Sequence, residues 1–260
     1  MKKTGAVLGG FLWETPRIFL CRQPGARAAD ELPPQTSEGP SMIMTDPLHR
    51  DRPGLVPAGR AIEEQSFAII EREIGSHHFP PEHWPVVRRV IHTTGDFDFA
   101  AAIRIHPQAV PQAVQAIRGG ARIVTDTRMI RSGLSPWRLE RYGNEVLTPA
   151  VVDGVRQAAT DLGLTRSAAA LRGSRHLLDG SIVAVGNAPT ALLEMVRLIE
   201  EEGLRPALVI GVPVGFVQAV ESKEALWACT AQPSITVLGR KGGSPVAVAI
   251  VHALLDLARA

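Results

Sequence analysis

The sequence predicts an α/β fold with three layers, α/β/α, and a mainly parallel central sheet, built as a single domain from residues 60–260. Short apolar runs alternate with helical patterns along the chain. The runs are apolar at successive positions, so both faces need cover, as in a parallel sheet lined by helices. Neither an internal repeat nor a linker follows residue 60, which suits one domain for a chain of 260 residues.

The elements follow in order. Residues 62–71 have helical spacing, with Ile62, Ser66, Ile69 and Ile70 near one face. Pro81 to Ile91 reads as a second helix with proline in its first turn, and Gly95 suits a helix C-terminus. Ile123-Val124-Thr125 is a short strand. Pro149 to Leu162 is a helix, and another starts at Thr165 and runs to Leu171. Residues 181–186 form a strand, with its helix from Pro189 to Glu202. Residues 207–212 form the next strand, with its helix from Glu221 to Ala228. Residues 235–238 form the last strand, and the closing helix spans Pro245 to Arg259.

Residues 1–59 read as a flexible extension, rich in Pro, Gly, Ser and charge from residue 23 onward. Met1-Lys2-Lys3 and the apolar run to Leu12 imitate a signal peptide, but Trp13-Glu14 and Pro16 interrupt it. No stretch is long enough to span a membrane. Met42 and Met44 are alternative starts, and residues 1–43 are expected to add nothing to activity.

Composition narrows the function. Apolar content of 45% supports a substantial core. A formal net charge of +2 and 5% aromatics argue against nucleic acid as partner. Cys21 and Cys229 fit neither a disulfide framework nor zinc spacing, so a cytoplasmic location is expected.

The most informative run is Arg88-Arg89-Val90-Ile91-His92-Thr93-Thr94-Gly95-Asp96. On a helix, Arg88 and Arg89 lie four and three residues before His92, so all three share a face. Such a cluster attracts an anion and can lend it a proton. Three strand-to-helix corners add backbone N–H donors and cations: Gly186 to Thr190, Gly211 to Phe216 with Glu221 to Glu224, and Gly239 to Pro245. In open α/β sheets ligands bind outside the carboxyl ends of strands, where all three corners fall. Asp126, after a strand, is either a helix N-cap or a site acid. His77, His83 and their neighbour His78 are expected in a surface loop. Asp96 and Asp98 resemble a dyad, with chain-exit hydrogen bonding the alternative.

These residues resemble the precorrin-8X methylmutase family of cobalamin biosynthesis. The resemblance runs from about Ile62 to the C-terminus. It is carried by Glu64-Gln65-Ser66-Phe67, Arg88 to Asp96, Thr125-Asp126-Thr127-Arg128-Met129-Ile130 with Gly133, Thr165-Arg166-Ser167-Ala168, and the three corners. Members often carry a Cys around Glu145 to Thr148, where this chain has none.

The resemblance implies an isomerase that moves a methyl group from C-11 to C-12 of a corrinoid, giving hydrogenobyrinate or its cobalt form. It implies no cofactor, no protein-bound metal and no external methyl donor. His92 corresponds to the catalytic proton donor. The substrate would be bound by Ser66, Arg88, Arg89, Thr94, Asp126, Met129, Arg166, Asn187, Ala188, Gly215, Lys223 and Arg240, the cations among them and the further candidate Lys241 meeting its carboxylates. For Ser66 the alternative is a hydroxyl bonded back to its own helix. A homodimer is implied, with the site near the subunit interface. Two guanidiniums beside His92 are expected to hold its pKa low until substrate carboxylates neutralise them. The rivals are another α/β enzyme acting on a polycarboxylate, and a non-catalytic corrinoid carrier.

Overall fold

The computed structural model describes residues 57–151 and 153–259. The expectations for the N-terminal extension up to residue 56 lie outside the described residues.

Six strands form one sheet in the order β1-β6-β5-β4-β2-β3. They are β1 (Ile103–Ile105), β2 (Ile123–Thr125), β3 (Val146–Leu147), β4 (Ile182–Val185), β5 (Leu208–Gly211) and β6 (Ser234–Val237). All pairs are parallel except β1 with β6, which aligns Ile103 with Val237. The alternating pleat serves two cores. Ile182, Ala184, Leu208 and Ile210 point to one, and Val183, Val185 and Val209 to the other. Burial on both faces explains why these strands read as continuous apolar runs.

The helices are α1 (Pro57–Ile74), α2 (Trp84–Thr94), α3 (Asp98–Ala102), α4 (Ala109–Arg118), α5 (Arg128–Gly133), α6 (Pro136–Glu140), α7 (Val155–Leu162), α8 (Arg166–Gly173), α9 (Pro189–Glu202), α10 (Ala219–Ala228) and α11 (Ser244–Arg259). Helix α9 has the bounds its sequence pattern predicts. Leu192, Met195 and Leu198 on α9 fill the second core with Leu226 of α10. On the other face α11 is buried on nearly all sides, from Val246 to Ala258. A helix apolar all round must be covered all round, and α2 lies across it, with Val86, Val87, Val90 and Ile91 in the same core. The helix carrying His92 therefore rides on α11, outside the layer that touches the sheet.

Four expectations need correction. The buried face of α1 carries Phe67 and Ile70, whereas Ile62 is 65% and Ile69 44% exposed. Those two isoleucines fall outside the stripe that meets α2. Helix α2 begins at Trp84, after a turn in which the His83 and Trp84 N–H groups donate to the Pro80 carbonyl. His83 is buried, not in a surface loop. The helix expected over 149–162 is broken into a 3-10 turn at Pro149–Val151 and α7, with Gly154 at φ 83° between them, a conformation glycine adopts readily. Strands β1 and β3 and helices α3 to α6 were not anticipated. Three-residue or two-residue strands show no period, and Pro111 disguised α4. That proline lies in the first turn of α4, where a missing N–H costs nothing.

Candidate active site

The His92 cluster is built around Phe67. Helix α2 ends at Gly95, in the left-handed conformation at φ 63°, whose N–H donates to the Ile91 carbonyl. The His92 ring meets the Phe67 ring edge-on, with centroids 5.1 Å apart. The guanidinium carbons of Arg88 and Arg89 lie 4.3 Å and 5.2 Å from the same ring centroid, an attractive arrangement of cation and aromatic face.

Both arginines also meet carboxylates. Arg88 pairs with Glu71 at 2.9 Å, and the Glu71 side chain is 42% exposed. Arg89 pairs with Glu63 at 2.7 Å and Asp256 at 3.1 Å. Asp256 in turn holds Arg138 at 2.9 Å. Glu63, Arg89, Asp256 and Arg138 thus form an alternating, largely buried chain of charge across α1, α2, α11 and α6. In the Arg88–Glu71 pair the Arg88 side chain is 12% exposed, so only the carboxylate partner reaches solvent. Arg89 has a terminal nitrogen on each of two carboxylates.

The His92 pKa is held below the usual imidazole value, as expected, but for a different first reason. Burial is the largest cause, Arg89 and Arg88 add to it, and Glu63 opposes it. The guanidinium charges are already matched by Glu63, Glu71 and Asp256, which leaves desolvation in the lead. Ser66 donates its hydroxyl back to the Ile62 carbonyl at 2.8 Å. Thr94 donates to the Val90 carbonyl at 2.9 Å.

A second group of residues meets at the sheet edge. From β2 the chain steps outward to β3, then crosses back to β4 on the other side of β2. The winding direction reverses between β2 and β4, and a crevice is expected outside their carboxyl ends. A cavity of about 550 Å³ lies there, with Asp126, Arg166 and Asn187 in its lining. Met129, 64% exposed, is on α5 directly after β2. The corner before α9 differs from the expectation of a free anion nest. Asp126 already fills it, accepting from the N–H groups of Gly186, Asn187 and Ala188 at 3.1, 2.9 and 2.8 Å. Asp126 is not the cap of α5, since Thr127 accepts from the Ile130 N–H instead. Burial raises the Asp126 pKa, and the three N–H donors oppose that rise.

The third group lies on the loops after β5 and β6. Gly215 donates its N–H to the Arg240 carbonyl at 3.2 Å, and the Arg240 guanidinium carbon is 5.2 Å from the Phe216 ring centroid. Phe216 is 81% exposed. At Gly242, φ 151°, a Cβ would fall on the Val212 carbonyl oxygen, so only glycine fits. Lys241 joins this loop to the exit of α2 through Asp96 at 2.5 Å and Asp98 at 2.7 Å. The two aspartates therefore share a lysine, and the Asp98 N–H also bonds the Asp96 carboxylate.

Lys223, expected to meet a substrate carboxylate, is fully buried and donates to the Lys241 carbonyl at 2.9 Å. Burial lowers its pKa to about 8. An unfolded lysine keeps its proton to about 10.4, so between these values the unfolded chain binds more protons and stability rises with pH. Lys223→Met should remove that rise, worth up to roughly 3 kcal/mol. Urea unfolding of both proteins at pH 7.5 and 10 checks this; equal slopes against pH would contradict it.

The residues expected to share one site thus fall in three places. Ser66, Arg88, Arg89, His92 and Thr94 lie on the α1–α2 pair. Asp126, Met129, Arg166, Asn187 and Ala188 gather at the switch point. Gly215, Lys223 and Arg240 hold the loops after β5 and β6. The cavity at the switch point is lined by no residue of α1 or α2. Sequence reasoning missed Glu63, whose partner Arg89 is 26 residues away. No local spacing marks that pair.

Comparison with known proteins identifies the family. The precorrin-8X methylmutase (CbiC) family model matches residues 61–257. The chain is 48% identical over 206 residues to a cobalt-precorrin-8 methylmutase of Leptospira interrogans, covering 76% of this chain and 94% of that protein. It is 42% identical over 197 residues to a precorrin-8X methylmutase of Pseudomonas aeruginosa, covering 75% and 94%. A crystal structure of precorrin-8X methylmutase from Thermus thermophilus superposes with a TM-score of 0.71 at 49% identity, covering 76% of this chain and 98% of that one. Taken with the α/β fold and the ordered motifs, these matches show that the chain belongs to the precorrin-8X methylmutase family, isomerases of cobalamin biosynthesis that act by intramolecular methyl transfer.

Proposed function

We propose that the protein isomerises a corrinoid by moving a methyl group from C-11 to C-12, with His92 as the proton donor and residues 60–260 as the catalytic unit. The single observation that carries the assignment of His92 is its environment: a half-buried imidazole against the Phe67 ring that Arg88 and Arg89 also face, with carboxylates on both arginines. Burial favours the neutral form of the free imidazole, and Glu63 limits how far its pKa falls. A carboxylate-rimmed substrate brings negative charge into this desolvated place and raises the pKa. The acid is then loaded mainly in the complex. A proton lent to the conjugated ring gives it positive character, which eases a 1,5-shift of the methyl group. The proton returns to His92 afterwards, so the reaction is balanced without a cofactor.

Arg88, whose partner Glu71 reaches solvent, suits a substrate clamp, and Arg89 suits a scaffold for the helix. The switch-point cavity and the His92 cluster belong to different parts of one chain. We therefore infer a homodimer with the site near the interface, in which a second copy closes over a broad flat ligand. Among the described residues no helix is long and apolar enough to cross a membrane. The cytoplasm is the proposed compartment, in keeping with two widely spaced cysteines.

Relatives named for the cobalt-containing and for the metal-free substrate both match this chain. Mixing the protein with precorrin-8X, and separately with cobalt-precorrin-8, tests the reading. The visible spectrum should change to that of the rearranged product with at least one of them. Folded protein that leaves both spectra unchanged would overturn the reading and favour a carrier.

A further inference from the structure

We propose that Glu63 is a positioning residue for the reaction: together with Arg89, its carboxylate decides how readily His92 holds the proton it lends. Its part in catalysis rests on the methylmutase reading; its effect on the imidazole needs no substrate. Glu63 and Phe67 lie four residues apart on α1, so the carboxylate and the ring share one face. Glu71, four residues further, extends the same row. Against this row α2 sets Arg88, Arg89 and His92. The Phe67 ring takes the His92 edge at 5.1 Å and the two guanidiniums at 4.3 and 5.2 Å. Glu63 meets Arg89 at 2.7 Å, one helical turn from the ring that carries the imidazole. The Glu63 and Arg89 side chains are 12% and 10% exposed. Water and salt screen such a pair little, so its charges reach the neighbouring imidazole.

The other charged groups on the elements around α2 have different engagements. On α1, Glu71 accepts from the Trp84 indole N–H at 2.6 Å and pairs with Arg88, and its carboxylate reaches solvent. Arg60 lies three residues before Glu63, and Glu64, Arg72 and Glu73 are exposed. On α11, Asp256 divides itself between Arg89 and Arg138, His252 accepts from the Ser135 N–H, and Arg259 lies over the Trp137 ring. On α3, Asp98 shares Lys241 with Asp96. After burial, the charges that act on the His92 pKa are Arg89, which lowers it, Glu63, which raises it, and Arg88, which lowers it. Burial and two cations thus disfavour the imidazolium, and one carboxylate among these charges opposes them.

A contact that serves only the fold behaves differently from one that serves the acid. Removing the charge of Glu63 or of Arg89 breaks the same ion pair, so a purely structural role predicts the same kind of damage from either side. An electrostatic role predicts effects of opposite sign on His92.

The test uses Glu63→Gln, Glu63→Asp, Arg89→Gln and Glu71→Gln in the full chain. NMR follows the titration of His92 in the free protein, its ring signals assigned by their loss in His92→Ala. Glu63→Gln should move the midpoint to lower pH, and Arg89→Gln to higher pH. Glu63→Asp keeps the charge and should stay closer to the wild type than Glu63→Gln. Glu71→Gln should move the midpoint less, because its carboxylate reaches solvent. With corrinoid substrate, the pH at which kcat/KM falls should shift in the same directions. Above that pH, kcat/KM drops about tenfold for each pH unit the midpoint moves down, and in Glu63→Gln it should recover at low pH. An unmoved midpoint in Glu63→Gln, or shifts of the same sign in Glu63→Gln and Arg89→Gln, would overturn the proposal. Each variant decides by its own sign if the other fails to fold. A kcat/KM profile that stays in place while the NMR midpoint moves would leave Glu63 outside the reaction. Opposite shifts in a protein that turns over neither corrinoid would keep the effect of Glu63 on His92 and sink the methylmutase reading.

Discussion

Replacing His92 by alanine is expected to lower kcat by about 10²–10⁴-fold, the usual worth of a positioned general acid, while corrinoid affinity changes only a few-fold. The ring packs against Phe67 and makes no salt bridge with a carboxylate among the described residues, so the fold should survive its removal. Stopped-flow absorption with a single turnover reports the chemical step, and titration with product reports binding. A variant that retains kcat within a few-fold would remove His92 from the mechanism. The pH dependence gives an independent check. A general acid must be protonated, so kcat/KM should fall as pH rises through the free-enzyme pKa of His92, which burial holds below 6.5. The fall in kcat should come at higher pH, because the bound substrate's charge favours the imidazolium. Identical midpoints in the two profiles would contradict that coupling. The same shift affects stability. The folded pKa lies below the unfolded one, so the unfolded chain binds more protons in that window. Stability contributed by His92 is therefore lost as pH falls from 6.5 toward the folded value.

The largest loss of stability is expected from Asp256→Ala. Asp256 is 4% exposed and holds Arg89 at 3.1 Å and Arg138 at 2.9 Å. Its removal leaves two buried guanidiniums facing each other, with Glu63 the remaining carboxylate of the chain. Breaking a buried ionic network by taking out one partner costs about 3–5 kcal/mol. Urea unfolding followed by circular dichroism measures this, and a loss below about 1 kcal/mol would show the network to be energetically idle. Arg138→Met combined with Asp256→Leu is the companion variant. Removing both charges spares the unpaired arginine, so the pair should recover part of the loss. Because Arg89 sits one turn from His92 on α2, Asp256→Ala should also disturb the His92 titration. Arg138→Met alone should disturb it less.

Much of the fold was legible because its signals are local. The runs at β4, β5 and β6 are apolar on both pleat faces, and α9 begins at Pro189 and ends before Gly203. What stayed hidden has no local signature. Strand β1, Ile-Arg-Ile, exists because its backbone pairs antiparallel with β6, more than 120 residues away in the chain. The face of α1 could not be chosen from spacing alone. Ile62 and Ile69 are as apolar as Ile70, and only the position of α2 decides that Phe67 and Ile70 turn inward.

For the site, the sequence by itself determined the chemistry-bearing set: His92 with Arg88 and Arg89 on one helix, Gly95 as its cap, and glycine-rich corners at strand ends. Spacing along a helix and conformational limits on glycine are properties of the chain, so they can be read from it. Tertiary structure alone decided what each charge is for. Asp126 occupies the N–H nest that had looked open to substrate. Lys223 is buried under the Lys241 carbonyl. Arg89 is matched by Glu63 and Asp256, while Arg128, Arg156 and Arg166 line one cavity and have no side-chain partner among the described residues. Charge pairing and desolvation depend on distance through space and on exclusion of water, and neither is encoded in spacing along the chain.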